Sequence, residues 1–176
     1  VTILDGIKTM QRKLVYMQGC DKTYDKVMDC LIASSCSADG KRGLKGTFWN
    51  NTKMEGTPIT TRYYTEPLAV TTAGMHNFAP GVPVEDFSAK YETVFRPKEA
   101  GEYVVNVEGC GDFGLYIDGQ RKMHHHTWRT TPTRTVINAE AGKEYKIEVR
   151  FQFVKTWGAN LKINVAKQLP SDYAAV

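Results

Sequence analysis

A glycine-rich segment is the first place in this sequence where residue types and spacing suggest chemistry. Gly109–Gly114 (GCGDFG) matches the G-x-G-x-x-G pattern, which binds a dinucleotide when it joins a strand to the N-terminus of a helix. Here the segment leads into Leu115–Ile117, a strand-type run, and then into the turn signal Asp118-Gly119. Because the required helix is missing, we interpret the glycines as a tight connection with positive φ rather than as a nucleotide site.

Three consecutive histidines suggest a metal site. Adjacent side chains of a strand point to opposite faces, so at most two of His124, His125 and His126 can share one ion. No Cys, Asp or Glu lies within five residues of them to complete a ligand set. We therefore expect a polar edge or loop here, and neither a metal ligand nor a cofactor in the chain.

Aromatic side chains in loops are the remaining candidates for function. Sugars present flat C–H faces that stack on aromatic rings, while neighbouring polar side chains bond to the hydroxyl groups. Aromatic residues are most often buried, so the exposure of Trp157 and Phe78 stays open at this point. The candidate carbohydrate-binding residues are Trp157, Lys155, Phe78, His76, Asn77, Trp128 and Asp112.

The composition is that of an ordinary globular domain. The 176 residues include 41% hydrophobic and 24% charged residues, with a formal net charge of +4. The basic residues are scattered, which argues against nucleic-acid binding, and no apolar run is long enough to cross a membrane. Four cysteines, without a C-x-x-C pair, favour free thiols over zinc, although Cys30 and Cys36 could bridge in an oxidising compartment.

The elements that must position these residues are mostly short strands. Period-two alternation predicts strands around 91–95 and 103–108, separated by a turn at 96–101, and a third strand at 115–117. Apolar spacing also predicts helices at 1–13 and 24–35, with a buried-type strand at 14–17 between them. The segment 64–86 holds three of the seven prolines, so we expect a long irregular connection there.

Several landmarks together resemble the PA14 (protective-antigen-type) domain. Phe87–Val104 (FSAKYETVFRPKEAGEYV) followed by Leu115–Gly119 (LYIDG) is similar to the central strands of this family. Gly43–Asn50 resembles its opening strand, while 141–149 and 158–161 resemble its last two strands. This resemblance implies a mainly β fold, an antiparallel β-sandwich, with a short N-terminal α/β flank.

The two ends of the chain are similar to a different family, glycoside hydrolase family 3. In its α/β sandwich domain a helix like Ile3–Ile7 precedes a strand that ends in a Gly-Cys pair, and some β-glucosidases of the family carry an inserted PA14 domain there. We therefore expect a host fragment at 1–40, the PA14-like sandwich at 41–167 and the start of a host helix at 168–176. Ser171–Tyr173 only faintly resembles the family's nucleophile motif, so we expect no catalytic residue in this segment.

These resemblances imply two alternative functions. The first is an accessory module of a β-glycosidase that contacts the host's catalytic domains and a short β-linked oligosaccharide, with the loops 75–82 and 155–160 limiting substrate length. The second is an autonomous carbohydrate-binding or adhesin domain, calcium-dependent or not. For either we expect a secreted or periplasmic location rather than a cytoplasmic one.

The PA14 resemblance also raises the question of whether this domain binds calcium. In the sugar-binding members, two consecutive aspartates before the LYIDG-like strand hold a calcium ion that chelates sugar hydroxyls. The matching positions here are Cys110 and Gly111, and only Asp112 supplies a carboxylate. Because calcium prefers six to eight oxygen ligands, we expect a domain that folds and works without it.

Overall fold

The computed structural model of the chain describes residues 30–154 and 158–167. Within these residues ten strands form one antiparallel sheet, accompanied by a single helical turn and a short 3-10 turn at Ala73–Met75. The elements are α1 (Ile32–Ser35), β1 (Cys36–Ala38), β2 (Lys41–Arg42), β3 (Leu44–Trp49), β4 (Thr60–Tyr64), β5 (Leu68–Thr71), β6 (Phe87–Phe95), β7 (Gly101–Ile117), β8 (Gln120–Ala139), β9 (Tyr145–Phe153) and β10 (Asn160–Lys167). None of the helices in the described part is long and apolar enough to cross a membrane.

The sheet curls so that its two halves face each other across the core. One half runs β4–β3–β6–β9 and continues with the second part of β7, from Asp112 to Ile117. The other half runs β5–β10 and continues with the first part of β7, from Tyr103 to Cys110. The expected antiparallel β fold is confirmed, and its two layers are parts of one continuous sheet.

The long β7–β8 hairpin carries the chain from one half of the sheet to the other. On β7 the change of neighbour falls at Cys110 and Gly111, where the register with β8 also shifts. Gly109 pairs with Thr131 and Gly111 with Thr127, so three residues of β8, 128–130, bulge opposite one residue of β7. The prediction of a connecting turn at 109–114 is therefore wrong. The glycines lie at the bend of a continuous strand. Among Gly109, Gly111 and Gly114, Gly111 has a positive φ, 138°.

Aromatic residues dominate the core because alternate positions of the strands point inward. On β6 and β9 the period-two pattern is nearly complete, with every second residue buried from Tyr91 to Phe95 and from Tyr145 to Phe153. The largest fully buried rings are Tyr91, Phe48, Phe87, Phe95, Phe113, Phe151 and Phe153. Burial of each such side chain stabilises the fold by about 1.5–3 kcal/mol, so these rings carry much of the stability.

The two points where the described sheet is joined to the rest of the chain lie side by side. Cys30 forms an isolated antiparallel bridge with Ala166, and the Leu31 amide donates to the Val165 carbonyl at 2.8 Å. Of the helix predicted over 24–35, residues 24–29 lie outside the described residues, and within the rest this pairing limits the helix to Ile32–Ser35. The predicted elements at 1–13, 14–17 and 168–176 lie outside the described residues.

The strands define two ends of the domain. The loop end holds the connections 50–59, 72–86 and 154–159, together with the bend of the β7–β8 hairpin. The turn end holds the shorter connections, among them 96–100, 118–119 and 140–144. The joined ends at Cys30 and Ala166 lie towards the turn end, because β10 starts at the loop end with Asn160.

Candidate carbohydrate-binding face

One carboxylate on the outer face of the β7–β8 hairpin is bonded to two histidines. The His124 Nε2 lies 2.9 Å from Asp112 Oδ1, and the His126 Nδ1 lies 3.1 Å from Asp112 Oδ2. The Asp112 side chain is 33% exposed, and those of His124 and His126 are 44% and 84% exposed. Both carboxylate oxygens are thus engaged, and the two imidazole rings are oriented by the same group.

Strand pairing creates this contact from residues that are distant in sequence. Asp112 is opposite His126, and Gly114 is opposite His124, so the three side chains share one face. His125 points the other way, towards the core, with its ring centroid 5.6 Å from that of Phe113. The three histidines therefore lie on a polar edge strand, as expected. Asp112 lies more than five residues away along the chain, and unshifted pairing about the Asp118-Gly119 turn would set it opposite His125. The register shift between Leu115 and Tyr116 brings it opposite His126 instead.

An aromatic ring extends this face towards the turn end. Tyr116 lies on the same side of β7 as Asp112, and the Arg150 guanidinium of β9 sits 4.5 Å from the centre of its ring. Glu148 accepts a hydrogen bond from Arg150 Nε at 2.5 Å, which raises the pKa of the guanidinium and fixes it above the tyrosine. Gly114 is buried beneath the Tyr116 and His124 rings, since a Cβ added there would lie 3.3 Å from Tyr116 Cε2 and 3.7 Å from His124 Cδ2.

Trp128 lies at the opposite end of the same face, in the β8 bulge. Its side chain is 64% exposed, and the Arg129 guanidinium lies 4.2 Å from the centre of the indole. The Thr127 hydroxyl accepts from the Arg129 amide at 3.1 Å, and the Thr131 hydroxyl donates to the Arg129 carbonyl at 3.1 Å. These bonds satisfy the backbone amide and carbonyl of Arg129 within the bulge.

We call this surface the hairpin face. Its members lie on the outer side of the hairpin or on the neighbouring strand β9, and they are Asp112, Tyr116, His124, His126, Trp128, Arg129 and Arg150. It spans about 20 Å along the strands, given a rise of about 3.4 Å per residue. It offers two aromatic rings, imidazole and guanidinium hydrogen-bond donors, and one carboxylate whose oxygens are already bonded to histidines. This inventory suits hydroxyl-rich ligands better than acid–base catalysis, which needs a second carboxyl group nearby.

Family membership follows from a match over most of the chain. A family model described as the PA14 domain matches residues 40–171. The chain belongs to the PA14 domain family. The resemblance seen in the sequence is therefore confirmed, together with the mainly β antiparallel fold that it implied.

This PA14 domain is similar to parts of larger glycosidases. A xylan 1,4-beta-xylosidase from Xylanibacter ruminicola is 65% identical over 174 residues, which is 98% of this chain and 20% of that enzyme. A beta-glucosidase from Kluyveromyces marxianus, in complex with glucose, shares the fold with a TM-score of 0.60 at 17% identity, over 84% of this chain and 19% of that one. A GH31 alpha-xylosidase from Xanthomonas citri gives a TM-score of 0.62 at 15% identity, over 83% and 16%.

The other candidate residues of the PA14 domain lie in the connection 72–86 and in the loop 154–159. His76 and Asn77 are exposed, and the Asn77 amide donates to the Val82 carbonyl within its own loop. Phe78 is 3% exposed, with its ring 4.9 Å from Phe87 and 5.2 Å from Phe151. Phe78 is therefore a core residue and cannot stack on a sugar, because the connection folds this ring back over the sheet. Lys155 and Trp157 lie outside the described residues.

Hydrogen bonds hold these two loops together. The Thr72 amide donates to the Ala159 carbonyl at 2.9 Å, and the Ala159 amide donates to the Thr72 hydroxyl at 2.8 Å. The Asn160 side-chain amide donates to the Thr130 hydroxyl at 2.8 Å, which connects the same loop to the Trp128 bulge. The structure thus brings Trp128, Asp112 and the described part of the loop 154–159 to the loop end of the PA14 domain.

The described cysteines contribute no nucleophile to this surface. Cys30, Cys36 and Cys110 are free thiols. Burial raises the pKa of Cys36 to about 12, and it also raises the pKa of Cys110, whose sulfur lies 3.7 Å from the Thr127 carbonyl. A thiol acts as a nucleophile when it is ionised, so these groups are structural at neutral pH. Among the described residues no group of three or more His, Cys, Asp or Glu side chains is arranged to hold a metal ion.

Proposed function

We propose that this chain is the PA14 module of a β-glycosidase of the xylosidase type, inserted in the host enzyme so that it shapes the access of oligosaccharides to the active site. The observation that carries this proposal is the 65% identity, over 98% of the chain, to part of a xylan 1,4-beta-xylosidase. The substrate class then consists of short β-linked oligosaccharides derived from xylan, and the partners of the module are the host's catalytic domains.

The geometry of the joined ends supports insertion in a host domain. Because Leu31 and Val165 are paired backbone neighbours, the module can interrupt a host chain at one point without separating the flanking host elements. Its loop end is about 20 Å from this junction, because about six residues of β10 separate Asn160 from Ala166. The module can therefore extend over a neighbouring surface while its ends stay at the insertion point.

The loop end has the character of a contact surface. Exposed large apolar side chains occur in each of its three connections and in the hairpin bulge, namely Ile59, Met75, Val154 and Trp128. A fifth such side chain among the described residues, Val136, lies on β8 opposite Val104 and towards the turn end, so four of the five lie at the loop end. Contiguous exposed apolar surface marks an interaction site. Contact with the host's active-site rim or with bound oligosaccharide would cover the side chains at the loop end.

Removal of the module from the full-length enzyme tests this proposal. Because the chain ends are paired, a short Gly-Ser linker can replace residues 31–166 without stretching the host. We expect the ratio of kcat/KM for hexasaccharide to kcat/KM for disaccharide to rise by about fivefold or more, since access for long substrates is no longer restricted. The activity on a small aryl xyloside serves as the control for an intact catalytic site. An unchanged chain-length ratio, with that control preserved, would refute the proposal.

A second candidate function is carbohydrate binding by the module itself. It is favoured by one observation, the 64% exposed Trp128 beside polar groups on the hairpin face. Isothermal titration of the 176-residue chain with neutral xylo-oligosaccharides tests it. Binding at millimolar or lower concentration supports the second function, and no heat at these concentrations contradicts it.

A further inference from the structure

We propose that the Trp128 bulge is a binding site for oligosaccharides that carry a carboxylate, such as those with uronic acid units. The indole of Trp128 stacks on a sugar ring, and the guanidinium of Arg129 pairs with the acid group. This inference rests on the carbohydrate role proposed above and adds a ligand class and a specific pair of residues to it.

The residues on either side of Trp128 in the bulge are ordered by hydrogen bonds, and its ring is stacked on Arg129. Three residues, 128–130, lie opposite Cys110 in the register, so the indole stands outside the regular ladder. Thr127, Thr131 and the Asn160–Thr130 bond fix the backbone and side chains around it. An ordered aromatic ring loses little conformational entropy on binding, which favours affinity.

Arg129 stands beside Trp128 with its guanidinium available to a ligand. Its guanidinium lies over the indole, and no carboxylate among residues 30–154 and 158–167 forms an ion pair with it. The Arg150 guanidinium, at the other end of the hairpin face, is instead bonded to Glu148. Arg129 therefore keeps donors for an external carboxylate, which a planar guanidinium binds through two parallel hydrogen bonds.

The edge strand β8 is rich in basic residues. In its 20 residues β8 contains Arg121, Lys122, Arg129, Arg134 and three histidines but neither Asp nor Glu. The two carboxylates of β7 that flank the bulge are already bonded, Asp112 to His124 and His126, and Glu108 to Lys162. The field at this edge therefore favours an anionic ligand over a neutral one. A sugar acid fits better than a polyphosphate, because one cation sits beside one aromatic ring and the neighbouring groups are threonine hydroxyls.

Calorimetry on the 176-residue chain tests the assignment with two xylo-oligosaccharides of equal length, one neutral and one bearing a single uronic acid. We expect the acidic ligand to bind about tenfold more tightly, as a charge-assisted hydrogen-bond pair implies. Arg129→Gln should remove this preference and leave the affinity for the neutral ligand unchanged. Trp128→Ala should lower the affinity for both ligands by about tenfold or more. Both side chains are exposed, so the melting temperature should stay constant.

Arg121→Gln is the matched control, because Arg121 lies on the same strand near its turn-end start. It should leave the preference for the acidic ligand intact. Equal affinity for the two ligands in the unaltered chain, or an equal loss in Arg121→Gln, would overturn the proposal by showing no specific carboxylate site. Tight, Trp128-dependent binding of a short oligonucleotide would also overturn it. The chain-length test on the full enzyme uses neutral substrates only, so its failure and a failure here are distinguishable.

Discussion

The two ends of this PA14 domain are built by different means. At the turn end, short turns are accompanied by surface ion pairs, including Glu99 with Lys167 at 2.9 Å and Glu140 with Lys143 at 2.7 Å. At the loop end, long connections depend on single side chains that reach inward. Phe78 enters the core, and the Ser88 hydroxyl donates to the Asn51 carbonyl at 2.6 Å.

This difference suggests that the turn end serves to connect the strands, whereas the loop end can also contact a partner. Met75 is 76% exposed only three residues before Phe78, which is 3% exposed, so one connection is both anchored and open. The charged pairs at the turn end are well solvated when they are exposed to water. The exposed apolar groups at the loop end are instead stabilised by contact with another surface. Interaction should therefore be sought at the loop end, and the following changes test that division.

The largest effect is expected from Phe78→Ala, which removes the anchor of the loop end. Phe78 packs on Phe87 and Phe151, and truncation of such a ring leaves a cavity. We expect a loss of about 3–5 kcal/mol in the free energy of unfolding, measured by urea denaturation. Met75→Ala is the control and should change stability by less than about 0.5 kcal/mol. A similarly small loss in Phe78→Ala would show that the connection is not anchored through this ring.

A smaller effect is expected from Gly111→Ala at the bend of the hairpin. An added Cβ would lie 2.9 Å from Phe151 Cε2 and 3.1 Å from the Gln152 carbonyl oxygen, and φ is +138°. We expect a loss of about 2–3 kcal/mol from steric overlap and backbone strain. Gly142→Ala at the turn end isolates the backbone contribution, because no atom lies within 4 Å of its added Cβ and its φ is +75°. Equal losses in the two variants would mean that the bend is not sterically tight.

Gly111 also shows where sequence reasoning succeeds and where it stops. Alternation predicted the strands around Tyr91 and Tyr103 because inward and outward positions follow a period of two. The same local rules predicted a turn at 109–114, because glycines in a bent strand and glycines in a turn have the same composition. Likewise, the Asp112–His124 contact depends on register between strands, and Phe78 is buried by the path of a long connection. Neither property is encoded in a local window of residues.

A small effect is expected at the turn end from Glu99→Gln. The side-chain hydrogen bond from Lys167, together with its charge, lowers the pKa of Glu99. A carboxyl group with a lowered folded-state pKa stabilises the fold above its unfolded pKa, and this contribution is lost as the pH falls through the folded value. We therefore expect a melting-temperature difference of no more than about 1 °C at pH 7, which vanishes below about pH 3–4. A shift of several degrees would mean that the turn end depends on its ion pairs.

Calcium is expected to leave the melting temperature unchanged. This result would distinguish the loop end of this domain from a loop end whose structure depends on a bound ion. Cys110 is buried and Gly111 has no side chain, so Asp112 is the single carboxylate at these three positions. Both of its oxygens are already bonded to His124 and His126, and an ion would have to displace these partners. A domain that binds calcium gains about 2.7 kcal/mol at a hundred times the dissociation constant. Melting temperatures in excess EDTA and in a few millimolar calcium should therefore coincide. If calcium raised the midpoint by several degrees in the unaltered chain but not in Asp112→Asn, the carboxylate would be a metal ligand and the loop end would be organised by an ion.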